Sequence, residues 1–340
     1  AVSQTKKAID YYSAAEAQWH HIIADLDAKL PDLPGHLAWL SEESTDQRVS
    51  LVFGGPVSGK TTFALRLARE LVAIGYEVWD FRGEEYFDEK LVVDYLAVTR
   101  PTVLIFDDCA DVSGALASMI LEANKKRISL RIIATAYKKR RRGVLKDLSL
   151  ARLRIVELEP LRRNTFDAVF SKRSQKGRLG RLTGHSSAEA WNEFKVHFNM
   201  KFLEWLESLE GALPYQLAIS RILDDGTGQS AHSRQLVLAV AATHRFGFSL
   251  LFEFADAIRG TVGLEELVRE DGKLCDIAYL DEKGLRLRSR SFSINLWQKA
   301  SDQEKFEITL FLAKHLAPLV VPQSIARRSY AYRILREIMD

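Results

Sequence analysis

Residues 54 to 61 read Gly54-Gly55-Pro56-Val57-Ser58-Gly59-Lys60-Thr61, a complete G-x-x-x-x-G-K-[ST] phosphate-binding loop. Such a loop works only between a strand and a helix, so it constrains the surrounding fold more than any other string in the chain. Both flanks are present. The apolar run Val49-Ser50-Leu51-Val52-Phe53 precedes it, and Ala64, Leu65, Leu67, Ala68, Leu71 and Val72 follow on one face of a predicted helix. Glycine lets the backbone curl so that successive N–H groups point at phosphate oxygens, and the new helix adds its partial positive end. Lys60 is expected to reach the terminal phosphates, and Thr61 to hold Mg²⁺ through its hydroxyl. Gly54, Gly55, Pro56, Val57, Ser58, Gly59, Lys60, Thr61 and Thr62 are therefore the predicted nucleotide-binding residues.

Further strands are predicted at 76–81, 103–106, 130–134 and 153–158, each short and rich in β-branched or aromatic residues, with helical stretches between most of them. Strands alternating with helices mean parallel strands joined by crossovers, hence an α/β, doubly wound parallel sheet. Ahead of it, residues 5–30 have a helical pattern through Ile9, Tyr12, Trp19, Ile22, Ile23 and Leu26, and a short second helix runs to about Leu40. After Pro160 the strand signals stop, and residues 163–224 look all-helical apart from a basic, glycine-containing stretch at 172–185, of which 172–181 is expected to be a mobile loop. Asp224-Asp225-Gly226-Thr227-Gly228 marks a boundary. Beyond it three helices (about 233–244, 249–259 and 263–270) precede a hairpin at 277–280 and 285–287, the order of a winged helix. Helices at 302–317 and 323–339 close the chain. The expected domains are an N-terminal helical lead-in at 1–48, the phosphate-loop core at 49–160, a helical lid at 161–226, the winged helix at 230–297 and C-terminal helices at 298–340.

Val103-Leu104-Ile105-Phe106-Asp107-Asp108 is an apolar strand ending in two carboxylates. Asp107 is expected beside the phosphate loop, holding the Mg²⁺ shell, and Asp108 where it can orient or deprotonate the attacking water. The next strand ends in Thr135. Where a sheet inserts a strand between the loop strand and the acidic strand, a polar residue there senses the γ-phosphate, so Thr135 joins Lys60 and Asp108 as a candidate catalytic residue. The run Lys138-Lys139-Arg140-Arg141-Arg142 at the same rim reads as a sensor, a nucleic-acid contact or a solvated loop.

Composition excludes little beyond this. Apolar residues make up 47% and charged residues 27%, and a net charge of +3 argues for neither nucleic acid nor an anionic membrane. No apolar stretch reaches the roughly 20 residues that span a bilayer. Two cysteines, Cys109 and Cys275, and no secretory signal suggest a reducing, cytoplasmic setting. The histidines lack metal-ligand spacing, so no zinc site is expected. A chain beginning at Ala1 without methionine reads as part of a longer polypeptide or as one whose initiator methionine is removed.

Taken in order, these features resemble the STAND class of P-loop NTPases, the signalling ATPases of immune receptors and bacterial defence proteins. The lead-in with Trp19 and Ile22-Ile23 is similar to the segment that flanks the base in that class. Glu157-Leu158-Glu159-Pro160-Leu161 resembles the L-x-P-L opening of its helical lid, and Ala212-Leu213-Pro214 its Gly-Leu-Pro motif. The resemblance implies that Trp19 and Pro214 contact the nucleotide. It also implies ATP or ADP with Mg²⁺ as ligands, and a switch that self-associates on binding ATP and serves effector and sensor domains of the same longer chain. Three positions depart from the class. Thr135-Ala136-Tyr137 lacks its arginine, Ala212 stands for glycine, and no histidine occupies Arg288-Ser289-Arg290-Ser291-Phe292. Two other readings stand beside the switch. One is a DNA-binding ATPase of the AAA+ origin-recognition or helicase-loader type, although residues 263–271 carry four acids against one base. The other is a nucleotide-binding scaffold that never hydrolyses.

Overall fold

The computed structural model describes residues 11–12, 17–43, 46–55, 58–81, 88–97, 101–200, 202–209, 228–259, 278–280, 284–287, 290–326 and 329–339. Contacts divide the chain into two compact units, one comprising residues 1–11 and 17–205, the other 12–16 and 206–340.

The loop strand β1 (Arg48–Gly54) is buried along its whole length, as a strand covered on both faces must be. It pairs in parallel with β4 (Arg131–Tyr137) on one side and β5 (Arg152–Glu157) on the other. With β2 (Glu77–Phe81) and β3 (Thr102–Phe106) it forms a five-stranded sheet ordered β2-β3-β4-β1-β5. Alternate residues feed two cores. Val49, Leu51, Phe53, Leu104, Phe106, Ile132 and Ala134 pack on the helices α4 (Glu89–Leu96), α5 (Ser113–Lys126) and α6 (Arg141–Asp147). Val52, Val103, Ile105, Ile133 and Val156 pack on α1 (Trp19–Ile23), α2 (Leu33–Ser41) and α3 (Lys60–Ala73). Helices on both faces of a parallel sheet are the predicted doubly wound α/β architecture. On α3 the predicted apolar face is buried except for Val72, which is 50% exposed.

The lead-in differs from the single helix expected over 5–30. Among the described residues, α1 ends at Ile23, and Asp25 adopts a left-handed backbone (φ 53°). Charge explains the break. Asp25 and the buried Asp27 turn onto Arg66 of α3, which is 3% exposed, and Asp25 also accepts from Lys172 at 2.5 Å. Burial opposes the Arg66 charge, but its bonds to Asp27 and then Asp25 outweigh burial and raise its pKa.

The unit continues through α7 (Arg163–Gln175), α8 (Ser187–Val196) and the start of α9 (Phe202–Leu209). Phe166 anchors this segment, with ring centroids 5.1 Å from Trp191, 5.3 Å from Phe194 and 4.7 Å from Trp205. The stretch expected to be a mobile loop begins inside α7, where Arg173 is buried and Lys172 is held by Asp25.

In the other unit, α10 (Gly228–His244) buries every residue from Leu236 to Ala242, so it is a core helix rather than a surface one. Around it pack α11 (Phe252–Arg259), α12 (Arg290–Lys299), α13 (Asp302–Leu316) and α15 (Tyr330–Met339), with the short α14 (Pro322–Ala326) preceding α15. The strands β7 (Ala278–Leu280) and β8 (Gly284–Leu287) pair antiparallel as expected for the hairpin. Leu250–Leu251, expected in a helix, instead forms β6 against β8. Gly284 permits that pairing, because a Cβ there would collide with the Leu250 carbonyl. Residues 263–270 lie outside the described residues, as do Cys275 and the turn at 281–283.

Candidate functional site

Strand register assembles the site. Phe106 pairs with Ala134, and Thr135 pairs with Val52, so Asp107 leaves β3 next to Thr135, which lies within β4 beside the loop strand. The hydrogen bonds follow. The Thr61 hydroxyl donates to Asp107 Oδ2 at 2.8 Å, and the Thr135 hydroxyl donates to Asp107 Oδ1 at 2.6 Å. Thr135 Oγ1 in turn accepts from the Asp108 N–H at 2.9 Å. One buried hydroxyl thus fixes both successive aspartates. Asp108 holds a left-handed backbone (φ 53°, ψ 60°), a conformation that Asp tolerates better than most residues.

Gly59 is the left-handed residue that starts α3 (φ 88°), a geometry other residues reach only under strain. A Cβ on Gly54 would collide with the Ser58 hydroxyl, so the loop closes tightly on itself. Lys60 is buried, donates to the Gly55 carbonyl at 2.6 Å and lies 4.4 Å from the centre of the Tyr137 ring. Ser58 donates to the same carbonyl at 3.0 Å. The Gly55 N–H donates to Glu159 Oε2 at 2.8 Å. Pro56 and Val57 lie outside the described residues, and Thr62 is half-buried in the first turn of α3.

Thr61 and Asp107 offer a hydroxyl and a carboxylate side by side, an all-oxygen pair suited to a hard divalent cation such as Mg²⁺. Among the described residues no group of three or more His, Cys, Asp or Glu is arranged to hold a metal. Cys109, next in line, is a buried free thiol whose pKa is pushed up by burial and by the charges of Asp108 and Asp107, which leaves it inert.

The other predicted residues lie elsewhere. Trp19 donates its indole N–H to Asp80 Oδ2 at 3.0 Å on β2, and β3 and β4 separate that edge strand from the loop strand. Its helix α1 packs on α3, where Arg66 donates to the Ile22 carbonyl at 3.4 Å. Pro214 lies outside the described residues. In the basic run, Lys138 and Arg141 both pair with Glu157, at 3.4 and 3.2 Å, and Arg141 lies 5.8 Å from the centre of the Phe53 ring. Two residues that motif reading did not single out touch the loop: Tyr137 beneath the Lys60 ammonium and Glu159 on the Gly55 amide. Their signal is positional. Tyr137 ends β4 and Glu159 lies just past β5, the two strands that flank β1, which only the strand order reveals.

A phosphate loop between β1 and α3, with an acidic strand one place beyond β4, defines an α/β phosphate-loop core. No family model matches the chain, and no curated protein matches it. Among solved structures it is similar to Saccharomyces cerevisiae Hsp104 in a casein complex (TM-score 0.42, 12% identity), covering 72% of this chain and 50% of that one. It is also similar to Aeropyrum pernix ORC1 in complex with DNA (TM-score 0.37, 11% identity, 83% and 96% covered). A third is the Thermotoga maritima RuvB Holliday junction branch migration motor (TM-score 0.31, 15% identity, 79% and 95% covered). The chain spans half the length of the Hsp104 chain. No helix among the described residues is long and apolar enough to cross a membrane.

Proposed function

We propose that this chain is an ATP-binding, slowly hydrolysing switch module of the STAND type. The observation that carries the reading is the hydrogen-bonded chain Thr61–Asp107–Thr135–Asp108 at the mouth of the glycine loop. Bound Mg²⁺ would neutralise charge on the β- and γ-phosphates, with Thr61 and Asp107 as its protein ligands. Lys60 would exchange the Gly55 carbonyl for the terminal phosphates, a move within its side-chain reach. Asp108 would orient the attacking water and take its proton. Thr135 is fully buried with its hydroxyl committed to the two aspartates, which supports a positioning role behind them.

In the switch, the γ-phosphate supplies coupling only through contacts that differ between the ATP and ADP states. Residues 161–226 would act as the lid and residues 230–297 as the winged helix, with Trp19 on the base side, as the resemblance implies. ATP binding would drive self-association on behalf of effector and sensor domains. Turnover would be slow, because a switch gains nothing from fast hydrolysis. The DNA-binding alternative relies on basic residues of the hairpin, and Arg286 is turned inward, donating to Ser249 Oγ and to the Gly247 carbonyl, both at 2.8 Å.

Calorimetry with Mg-ATP tests the reading. Lys60→Ala removes a charge-assisted contact worth about 1.5–3 kcal/mol, so affinity should fall about 10- to 100-fold. Equal affinity in the variant would remove the loop from the nucleotide site.

A further inference from the structure

Glu159 is a carboxylate seated on the backbone of a loop built to grip anions. Its Oε2 accepts from the Gly55 N–H at 2.8 Å, and a Cβ on Gly55 would lie 2.6 and 2.8 Å from its two oxygens. The other polar group of Gly55 is also engaged, since its carbonyl accepts from Lys60 and Ser58. The loop therefore has an internal anion on its amide and its own lysine folded onto its carbonyl.

Charge-assisted bonds of this kind are roughly twice as strong as neutral ones. Glu159 lies two residues past the end of β5, and β5 flanks the loop strand, so the carboxylate is delivered there by the sheet. A polyphosphate entering the loop brings several negative charges against this one, and like charges at contact distance repel strongly where water is partly excluded. Lys60 must leave the Gly55 carbonyl to meet the phosphates, which removes a cation from the peptide that Glu159 holds.

We infer that Glu159 is a built-in competitor of the polyphosphate, holding the loop through Gly55 and lowering nucleotide affinity until it is displaced. The inference rests on the proposed nucleotide site and deepens it, because it makes the segment leading into α7 the one that feels whether the loop is filled. A bracing residue would behave in the opposite way, since removing a brace weakens binding.

The test uses the whole chain with Mg-ATP and with inorganic tripolyphosphate, which has no base or ribose. Glu159→Gln keeps an acceptor for Gly55 but removes the charge, and should tighten both ligands about tenfold, with faster association. Glu159→Asp keeps the charge but draws it back by one methylene, and should tighten both in the same direction. Circular dichroism establishes that each variant is folded, and if Glu159→Gln is not, Glu159→Asp decides. A folded variant that binds tripolyphosphate no better than the wild type overturns the competitor role. If the wild type binds ATP in that case, the nucleotide site stands and only Glu159 is reassigned. If neither the wild type nor any variant binds either ligand, both readings fall.

Discussion

The Thr135 hydroxyl does two jobs with one oxygen, donating to Asp107 and accepting from the Asp108 backbone. Thr135→Val keeps the shape and removes both bonds, leaving the Asp108 N–H and one Asp107 oxygen without that partner. The cost to stability is about 1–3 kcal/mol. The effect on chemistry separates positioning from proton transfer. Asp108→Asn removes the base itself and should slow single-turnover hydrolysis by about 100-fold or more, with nucleotide affinity retained. Thr135→Val should retain affinity and slow the same step by about tenfold, because the carboxylate is present but loosely held. Phosphate release at saturating ATP measures both. Undiminished turnover in Thr135→Val would leave the hydroxyl a structural tie only. Equal turnover in Asp108→Asn would move the base elsewhere.

At the scale of elements, what the sequence made legible follows how local each cause is. The strand expected at 103–106 is found at 102–106, because burial on both faces writes a continuous apolar run. The strand expected to end at 134 runs to Tyr137, since pairing with the loop strand continues to Gly54↔Tyr137. That extension brings Tyr137 under Lys60, a contact no local pattern encodes. The phosphate loop and the Asp107–Asp108 pair were legible because their chemistry is contiguous in sequence. Glu159 was not, because its meaning depends on β5 lying beside β1. The lead-in helix was overread for the same reason, as its break at Asp25 is set by Arg66 and Lys172, far away along the chain. Capping, by contrast, is local and testable. Ser301 begins α13 with a reciprocal pair, accepting from the Glu304 N–H at 3.3 Å while Glu304 accepts from the Ser301 N–H at 2.8 Å. Ser301→Ala should cost about 1 kcal/mol in urea unfolding. Glu304→Ala should cost more, because that carboxylate also accepts from Arg234 of α10 at 2.6 Å. Equal losses would mean that the tie between α10 and α13 adds nothing.

On the scale of the whole molecule, each compact unit buries a histidine against a serine. His36 Nδ1 lies 2.6 Å from Ser50 Oγ in the unit with the phosphate loop, and His244 Nδ1 lies 2.9 Å from Ser293 Oγ in the other. Burial, with Arg154 nearby, lowers the His36 pKa to about 4. Burial, with Arg286 nearby, lowers that of His244 to about 3. In the unfolded chain both imidazoles take a proton near pH 6.5, whereas the folded units keep them neutral. The stability that neutrality confers is therefore complete above pH 6.5. It is lost as the pH falls, at about 1.4 kcal/mol per pH unit for each histidine, until the folded values are reached. Asp25, whose bond to Lys172 lowers its pKa, responds only below the usual carboxylate range, so it is silent in this window. Between pH 6.5 and 5 each unit should accordingly lose about 2 kcal/mol, seen as falling urea midpoints. In the same window the His36 and His244 imidazole resonances should stay at their neutral positions. If His36 or His244 instead titrates near pH 6.5, its unit's midpoint should hold steady down to pH 5, and the acid sensitivity assigned to that buried pair is wrong.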